Sequence, residues 1–183
     1  MITRIFATII FFLLIPFIII ASILIIIYDG NPIFFKQKRV GVNNKIFNLY
    51  KFRTMKNNTP NVATHLLKKS DSIYTKFGKI YRKFSVDEVP QILNIMKGDL
   101  KFIGPRPALY NQDDLIKLRT SHGIHKILPG VTGWAQVNGR DSLSIPQKVE
   151  LDIFYMKNKS FTLDLKILLF TVKRVLNGVN VDV

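Results

Sequence analysis

No cysteine occurs among the 183 residues, which excludes a disulfide framework and any cysteine-bound zinc. Oxidising conditions are therefore neither required nor excluded, and the absence of thiols is a weak pointer to the cytosolic side. Acidic residues are scarce: 12 Asp and Glu face 27 Lys and Arg, a net charge of +15. That surplus favours partners carrying phosphate, whether nucleic acid, anionic lipid or a nucleotide-like substrate, without choosing among them. The three histidines, His65, His122 and His125, do not fall at a metal-binding spacing, and the His122/His125 pair around Gly123 reads as surface. No internal repeat or low-complexity tract is present.

What the chain does have is one long apolar run. From Ile5 to Tyr28 there is no charged side chain over 24 positions, and a straight helix of that length, at about 1.5 Å per residue, crosses a hydrocarbon core of roughly 30 Å. The run is too long for a signal peptide and does not end in a small-residue cleavage site. Pro16 lies in its middle, removes a backbone donor and opposes the carbonyl of residue 12, so a kink is expected there. A sharp break returns both ends to one leaflet as a re-entrant helix, and a slight one lets the segment span. Lys36, Lys38 and Arg39 follow the run while Arg4 alone precedes it, which places the soluble part in the cytoplasm.

Tyr28 to Pro32 is dense in turn formers and marks the exit from the membrane. Ile33 to Phe35 and Ile46 to Phe52 read as two short strands of a hairpin around Gly41 to Asn44. Residues 56–72 are weakly patterned, and a helical period resumes from Asp71 to Phe84. A further helix is expected after Ser85, with Val89, Ile92, Leu93 and Met96 on one face and Gly98 as its stop. Lys148 to Lys157 and Thr162 to Asn177 both read as amphipathic helices, suited either to core packing of one face or to an interface.

Asp87 and Glu88 fall in the first turn of the helix after Ser85, where the positive end of the helix stabilises negative charge. Taken alone this is ordinary capping, since Ser85 with Glu88 three residues on makes a capping box. The surroundings suggest more. An ionised carboxylate beside a diphosphate can attack phosphorus and form an acyl phosphate, the second carboxylate can hold Mg²⁺, and arginine forks can neutralise the remaining charge. Arg82, Arg106 and Arg140 are the candidate phosphate-binding arginines, and Arg106 is pre-set by a proline on each side. Pro129, Gly130, Gly133 and Gly139 surround the lone Trp134; glycine at that density lets backbone donors approach a ligand, while the plainer reading is a loop between elements with Trp134 as an interfacial anchor or core residue.

In order, the strings FFKQKRVG, YKFRTM, SVDEVPQILNIMKGDL, FIGPRP and LPGVTGWAQVNGR resemble the bacterial sugar transferase family, the monotopic phosphoglycosyl transferases that initiate glycoconjugate and polysaccharide assembly. The resemblance runs from about Phe34 to Val181. It implies transfer of a sugar 1-phosphate from a UDP-sugar to undecaprenyl phosphate, with release of UMP, at the cytoplasmic face of the bacterial inner membrane. It further implies that Asp87 is the nucleophile on the β-phosphorus, forming a covalent phosphosugar intermediate, with Glu88 and Asp87 linked to the metal. A re-entrant N-terminal helix broken at a Ser-Pro pair is also implied. Here Ile15, not serine, precedes Pro16, and the early Lys-Arg-x-Phe-Asp pattern appears as Thr3-Arg4-Ile5-Phe6-Ala7.

The resulting expectation is a mostly helical α/β protein: residues 1–30 form a membrane helix broken at Pro16, and residues 31–183 form one membrane-associated cytoplasmic domain with a hairpin and interfacial helices. Its partners are the UDP-sugar, the polyprenyl phosphate and inner-membrane lipids, not nucleic acid. The sugar and the oligomeric state are not encoded in any recognisable residue. A membrane-tethered basic scaffold for anionic lipid or nucleic acid is a competing reading, which explains the charge but not the ordered motifs. A third keeps the reaction but makes Asp87 only a metal ligand, with the lipid phosphate attacking the sugar nucleotide directly, and the sequence does not separate it from covalent catalysis.

Overall fold

The apolar run folds as one helix, α1 (Ile2–Asp29), continuous through Pro16. The computed structural model describes residues 2–57, 59, 73–139 and 142–177. Next come β1 (Phe34–Val40) and β2 (Ile46–Phe52), an antiparallel hairpin in which Phe34 pairs with Phe52 and Val40 with Ile46. The first strand is longer than its apolar start suggests. Lys36 to Arg39 give no strand pattern of their own, yet pairing with β2 carries them, and Gln37 is buried.

After the hairpin, the helix expected from Asp71 is only the short α2 (Gly78–Lys83); residues 71 and 72 lie outside the described residues, as does most of 56–72. The preceding segment is drawn out instead against the end of the hairpin: Lys56 N–H donates to the Ile73 carbonyl, Thr75 N–H to Thr54, and Met55 bridges Tyr74. Gly78 sits so close that a Cβ there would lie 2.1 Å from the Thr54 oxygen.

The remaining elements are a 3-10 turn at Val86–Gln91 leading into α3 (Ile92–Lys97), β3 (Lys101–Ile103), α4 (Asp113–Ser121), β4 (Gly130–Thr132), α5 (Trp134–Val137), α6 (Ile145–Asn158) and α7 (Phe161–Leu176). β3 and β4 pair in parallel. The mostly helical α/β expectation holds. α6 starts at a capping box of Ser144 with Gln147, and Ser160 caps α7, so serine caps set both starts slightly upstream of the apolar period.

Both halves of α1 pack on the domain that follows it. Near its start, Ala7 is wholly buried among Leu49, Ile92, Ile95 and Leu100, and Arg4 Nε donates to the Met96 carbonyl at 2.8 Å. Towards its end, Ala21 and Ile25 pack with Phe52 and Tyr81, and Tyr28 meets Phe77 edge-on. Arg53 closes the exit by donating to the carbonyls of Asp29, Gly30 and Asn31. The rest of α1 is an uncovered apolar surface, including Phe12, Leu13, Ile20 and Ile27. α7 behaves similarly: Ile167 is buried, while Leu165, Leu168, Leu169 and Val172 are exposed. That is more apolar surface than one-sided core packing leaves uncovered.

Candidate active site

Asp87 and Glu88 stand on the 3-10 turn between α2 and α3. The capping box expected at Ser85 does not form. Ser85 takes a left-handed conformation (φ 55°) and its side chain makes no cap hydrogen bond; the Ser85 carbonyl, not its hydroxyl, accepts from Glu88 N–H. With Pro90 inside this turn, one backbone donor is missing and the tighter winding persists until Ile92. The Glu88 carboxylate is thereby released from a capping role and turned toward β2.

The turn is held on β2 by Asn94, which is 0 % exposed. Its Oδ1 accepts from Tyr50 N–H at 3.0 Å and its Nδ2 donates to the Asn48 carbonyl at 2.7 Å, so its side chain pairs with the strand edge as another strand would. Lys51 in β2 then faces the acids. Its Nζ lies 2.8 Å from Glu88 Oε1 and 3.6 Å from Asp87 Oδ2. From the other side, Arg106 Nη2 reaches Glu88 Oε1 at 2.7 Å. Burial holds the Lys51 ammonium below its ordinary value, Glu88 and Asp87 oppose that shift, and Arg106 adds to it. Asp87 itself is 6 % exposed. Two carboxylates and two cations packed at this depth make a site in which charge is balanced by specific partners and screened little by water.

Arg106 is placed by its loop rather than by its prolines alone. Gly104 N–H donates to Thr132, and the carbonyls of Pro105, Arg106, Pro107 and Ala108 accept from Gly130 N–H, Arg119 Nη1, Arg39 Nη1 and Val40 N–H. Its Nη1 also reaches the Val131 carbonyl at 3.4 Å. Of the two readings of the 129–139 glycines, ligand approach or a plain loop, Gly130 and Gly133 have a packing reason. A Cβ on Gly130 would lie 2.1 Å from Gly104 N, and one on Gly133 2.1 Å from Gly104 O. They let two backbone segments interlock. Trp134 stacks on Phe154 with ring centroids 5.5 Å apart and borders the cluster of Val137, Tyr155 and Ile167.

Of the expected site residues, the structure therefore brings together Asp87, Glu88 and Arg106. Arg82 lies in the last turn of α2, its guanidinium 4.0 Å from the Met55 sulfur and over the Tyr74 ring. Arg140 lies outside the described residues. Pro16 is within α1. His122 is exposed and His125 partly buried, and His65 lies outside the described residues. Sequence reasoning missed Lys51, Asn94, Arg119 and Asp152. None of the four carries a signal of its own, since each meets its partner only through the fold.

Among the described residues no group of three or more His, Cys, Asp or Glu is gathered. The adjacent carboxylates expected to hold a divalent cation are those of Asp87 and Glu88. Such a hard-oxygen set fits Mg²⁺, which takes one or two carboxylates and completes its shell with phosphate oxygens and water.

The model of the family described as bacterial sugar transferase matches residues 1–178. An uncharacterized sugar transferase of Bacillus subtilis is 49% identical over 80% of this chain and 71% of its own length. The UDP-N-acetylgalactosamine-undecaprenyl-phosphate N-acetylgalactosaminephosphotransferase of Aeromonas hydrophila is 35% identical over 89% of this chain and 40% of its own. The UDP-glucose:undecaprenyl-phosphate glucose-1-phosphate transferase of Escherichia coli is 33% identical over 91% of this chain and 37% of its own. Against the last two, the chain spans well under half of the relative's length.

Proposed function

This chain belongs to the bacterial sugar transferase family, and on that premise we propose that it transfers a sugar 1-phosphate from a UDP-sugar to undecaprenyl phosphate, releasing UMP. The observation that carries the reading is the buried constellation of Asp87, Glu88, Lys51 and Arg106. Adjacent carboxylates are poor company for an anionic diphosphate unless cations stand beside them, and here two do.

Asp87 is the nucleophile. A carboxylate oxygen forms a bond to the β-phosphorus, the bond from that phosphorus to the bridging oxygen breaks, and UMP leaves with the oxygen and the electron pair. An oxygen of undecaprenyl phosphate then attacks the same phosphorus and restores the Asp87 carboxylate, leaving a polyprenyl diphosphate sugar. Glu88, fixed at one oxygen by Lys51 and Arg106, holds its place through both steps. Arg106 and Lys51 supply fixed positive charge next to the reacting phosphate, and Arg82 and Arg140 are proposed as further phosphate contacts. Asp87 and Glu88 would hold Mg²⁺, which when bound neutralises diphosphate charge.

The membrane geometry follows the same logic. Both halves of α1 rest on one domain, which supports a helix with both ends on the cytoplasmic face of the inner membrane, re-entrant or lying in its surface, over a spanning one. The uncovered faces of α1 and α7 then meet lipid.

The test is release of UMP from a panel of UDP-sugars with purified protein, Mg²⁺ and undecaprenyl phosphate. Turnover is expected in the parent and absent in Asp87→Asn, with the variant's unfolding midpoint unchanged within a few degrees. UMP release by Asp87→Asn at the parent's rate contradicts the assignment.

A further inference from the structure

The buried ion pair between Arg119 and Asp152 stands outside the acids' cluster, yet touches it at one atom. Arg119, in α4, places Nε and Nη2 on Asp152 Oδ2 at 3.0 and 2.6 Å and donates from Nη1 to the Arg106 carbonyl at 2.7 Å. Asp152, in α6, is 1 % exposed, and the Arg119 side chain is 11 % exposed. A pair at this depth is weak as a stabilising device, because desolvation cancels much of its attraction.

The atom it grips is unusual. The peptide after Arg106 is a tertiary amide with no N–H, since Pro107 follows, so its carbonyl is its one hydrogen-bonding group. Pro107 also confines Arg106 to extended backbone. Within that extended region a range of φ and ψ remains, which still shifts this carbonyl and, with it, the direction in which the Arg106 side chain leaves the loop. Arg119 fixes that carbonyl, and Asp152 fixes Arg119. Arg106 then meets Glu88 Oε1 at 2.7 Å.

We propose that Arg119 and Asp152 are positioning residues: through the Arg106 carbonyl they aim the Arg106 guanidinium at Glu88 and the substrate phosphate. Asp152, Arg119 and Arg106 form a relay from α6 through α4 to the proline-flanked loop, with no contact between Asp152 and the reacting atoms. The catalytic part of this inference rests on the reaction proposed above.

The test uses the double variant Arg119→Met/Asp152→Leu in the full chain. Replacing a buried pair by apolar residues of similar volume leaves stability nearly unchanged or raises it, so its unfolding midpoint should match the parent's. UMP release at saturating UDP-sugar should nonetheless fall on the order of 10²-fold, with KM changed far less than kcat. In an Arg106→Lys background the same double change should add less than about twofold, because both act through one group. Deuterium exchange at the Gly104, Arg106 and Ala108 amides should quicken in the double variant. Should that protein not fold, Arg119→Lys keeps the buried charge paired but loses the fork and should show the same losses. Parent-like turnover and exchange in a folded variant, or full additivity with Arg106→Lys, overturns the proposal. If the parent itself releases no UMP, the reaction reading fails, and the exchange arm alone decides whether the pair fixes the loop.

Discussion

Lys51 touches both acids, at 2.8 Å to Glu88 and 3.6 Å to Asp87, while Arg106 independently supports Glu88. Lys51→Met therefore removes one of the cations that hold Glu88, with Arg106 remaining, and takes away the lysine beside Asp87. We expect turnover to fall by about 10²-fold or more and stability by on the order of 1–3 kcal/mol, the first read as UMP release and the second by urea unfolding. Turnover within threefold of the parent would remove Lys51 from the site. The acids themselves were legible from sequence because adjacent carboxylates at a helix start beside arginines are a chemical pattern. Lys51 and Asn94 were not, since each reaches its partner across more than 35 positions, and a strand lysine or a helical asparagine looks solvent-facing until the partner is known. The Ser85 capping box failed for a local reason: Pro90 and the left-handed Ser85 tightened the turn and sent Glu88 elsewhere.

At the scale of elements, β3 and β4 lie against each other through glycine, and the loops after them interlock. Gly133→Ala would put a methyl group 2.1 Å from the Gly104 oxygen and 2.8 Å from the Gln136 side-chain oxygen. We expect a loss of at least about 2 kcal/mol in urea unfolding, together with lower turnover because Arg106 sits two residues beyond Gly104. An unchanged midpoint would mean the two segments are not clasped. This pairing explains why the FIGPRP and LPGVTGW strings stand out in the sequence: the spacing invites either a ligand-cradle or a plain-loop reading, and only the fold reveals a second backbone beside Gly130 and Gly133.

β3 also joins α6 and α7 through Lys101, Tyr155 and Asp164. Tyr155 donates to Asp164 at 2.8 Å, and Lys101 Nζ lies 3.5 Å from the Tyr155 oxygen. Burial, with Lys159 adding to it, brings the Lys101 ammonium down to about 8. Between that value and the ordinary 10.5 the unfolded chain binds more protons than the folded one, so stability rises with pH through this window. Lys101→Met should flatten the rise in urea midpoint between about pH 8 and pH 10. A parent midpoint that rises no more than the variant's over this range would show that Lys101 is not the source. The helices in this region were read correctly in type and nearly in extent, because long amphipathic periods survive without tertiary knowledge. The helix expected from Asp71 was not, since pairing of Met55 with Tyr74 draws its first residues into extended chain.

For the whole molecule, the central geometric fact is that α1 is fastened at both ends to the domain behind it, by Arg4 on the Met96 carbonyl and by Arg53 on the carbonyls of its last turn and exit. Composition gave the helix and its exit, but no residue pattern says where its start is tied. Ala7 is wholly buried against Leu49 and Ile95, so apolar packing helps to seat the start of α1. Because the native chain lacks cysteine, Ile2→Cys can be labelled cleanly. In intact cells or spheroplasts a membrane-impermeant maleimide should not reach it, and after permeabilisation it should. Labelling from the periplasmic side in intact spheroplasts contradicts a helix with both ends on the cytoplasmic face.

The covalent step is the claim on which the rest turns, and the intact mass of the protein tests it most directly. Purified parent and Asp87→Asn are incubated with Mg²⁺ and each UDP-sugar in the absence of polyprenyl phosphate, then weighed. A mass gain equal to one phosphosugar on the parent alone, lost when undecaprenyl phosphate is added, is the predicted result and identifies the sugar. The same gain on Asp87→Asn, or UMP released with acceptor while no adduct forms even on rapid quenching, contradicts Asp87 as the nucleophile.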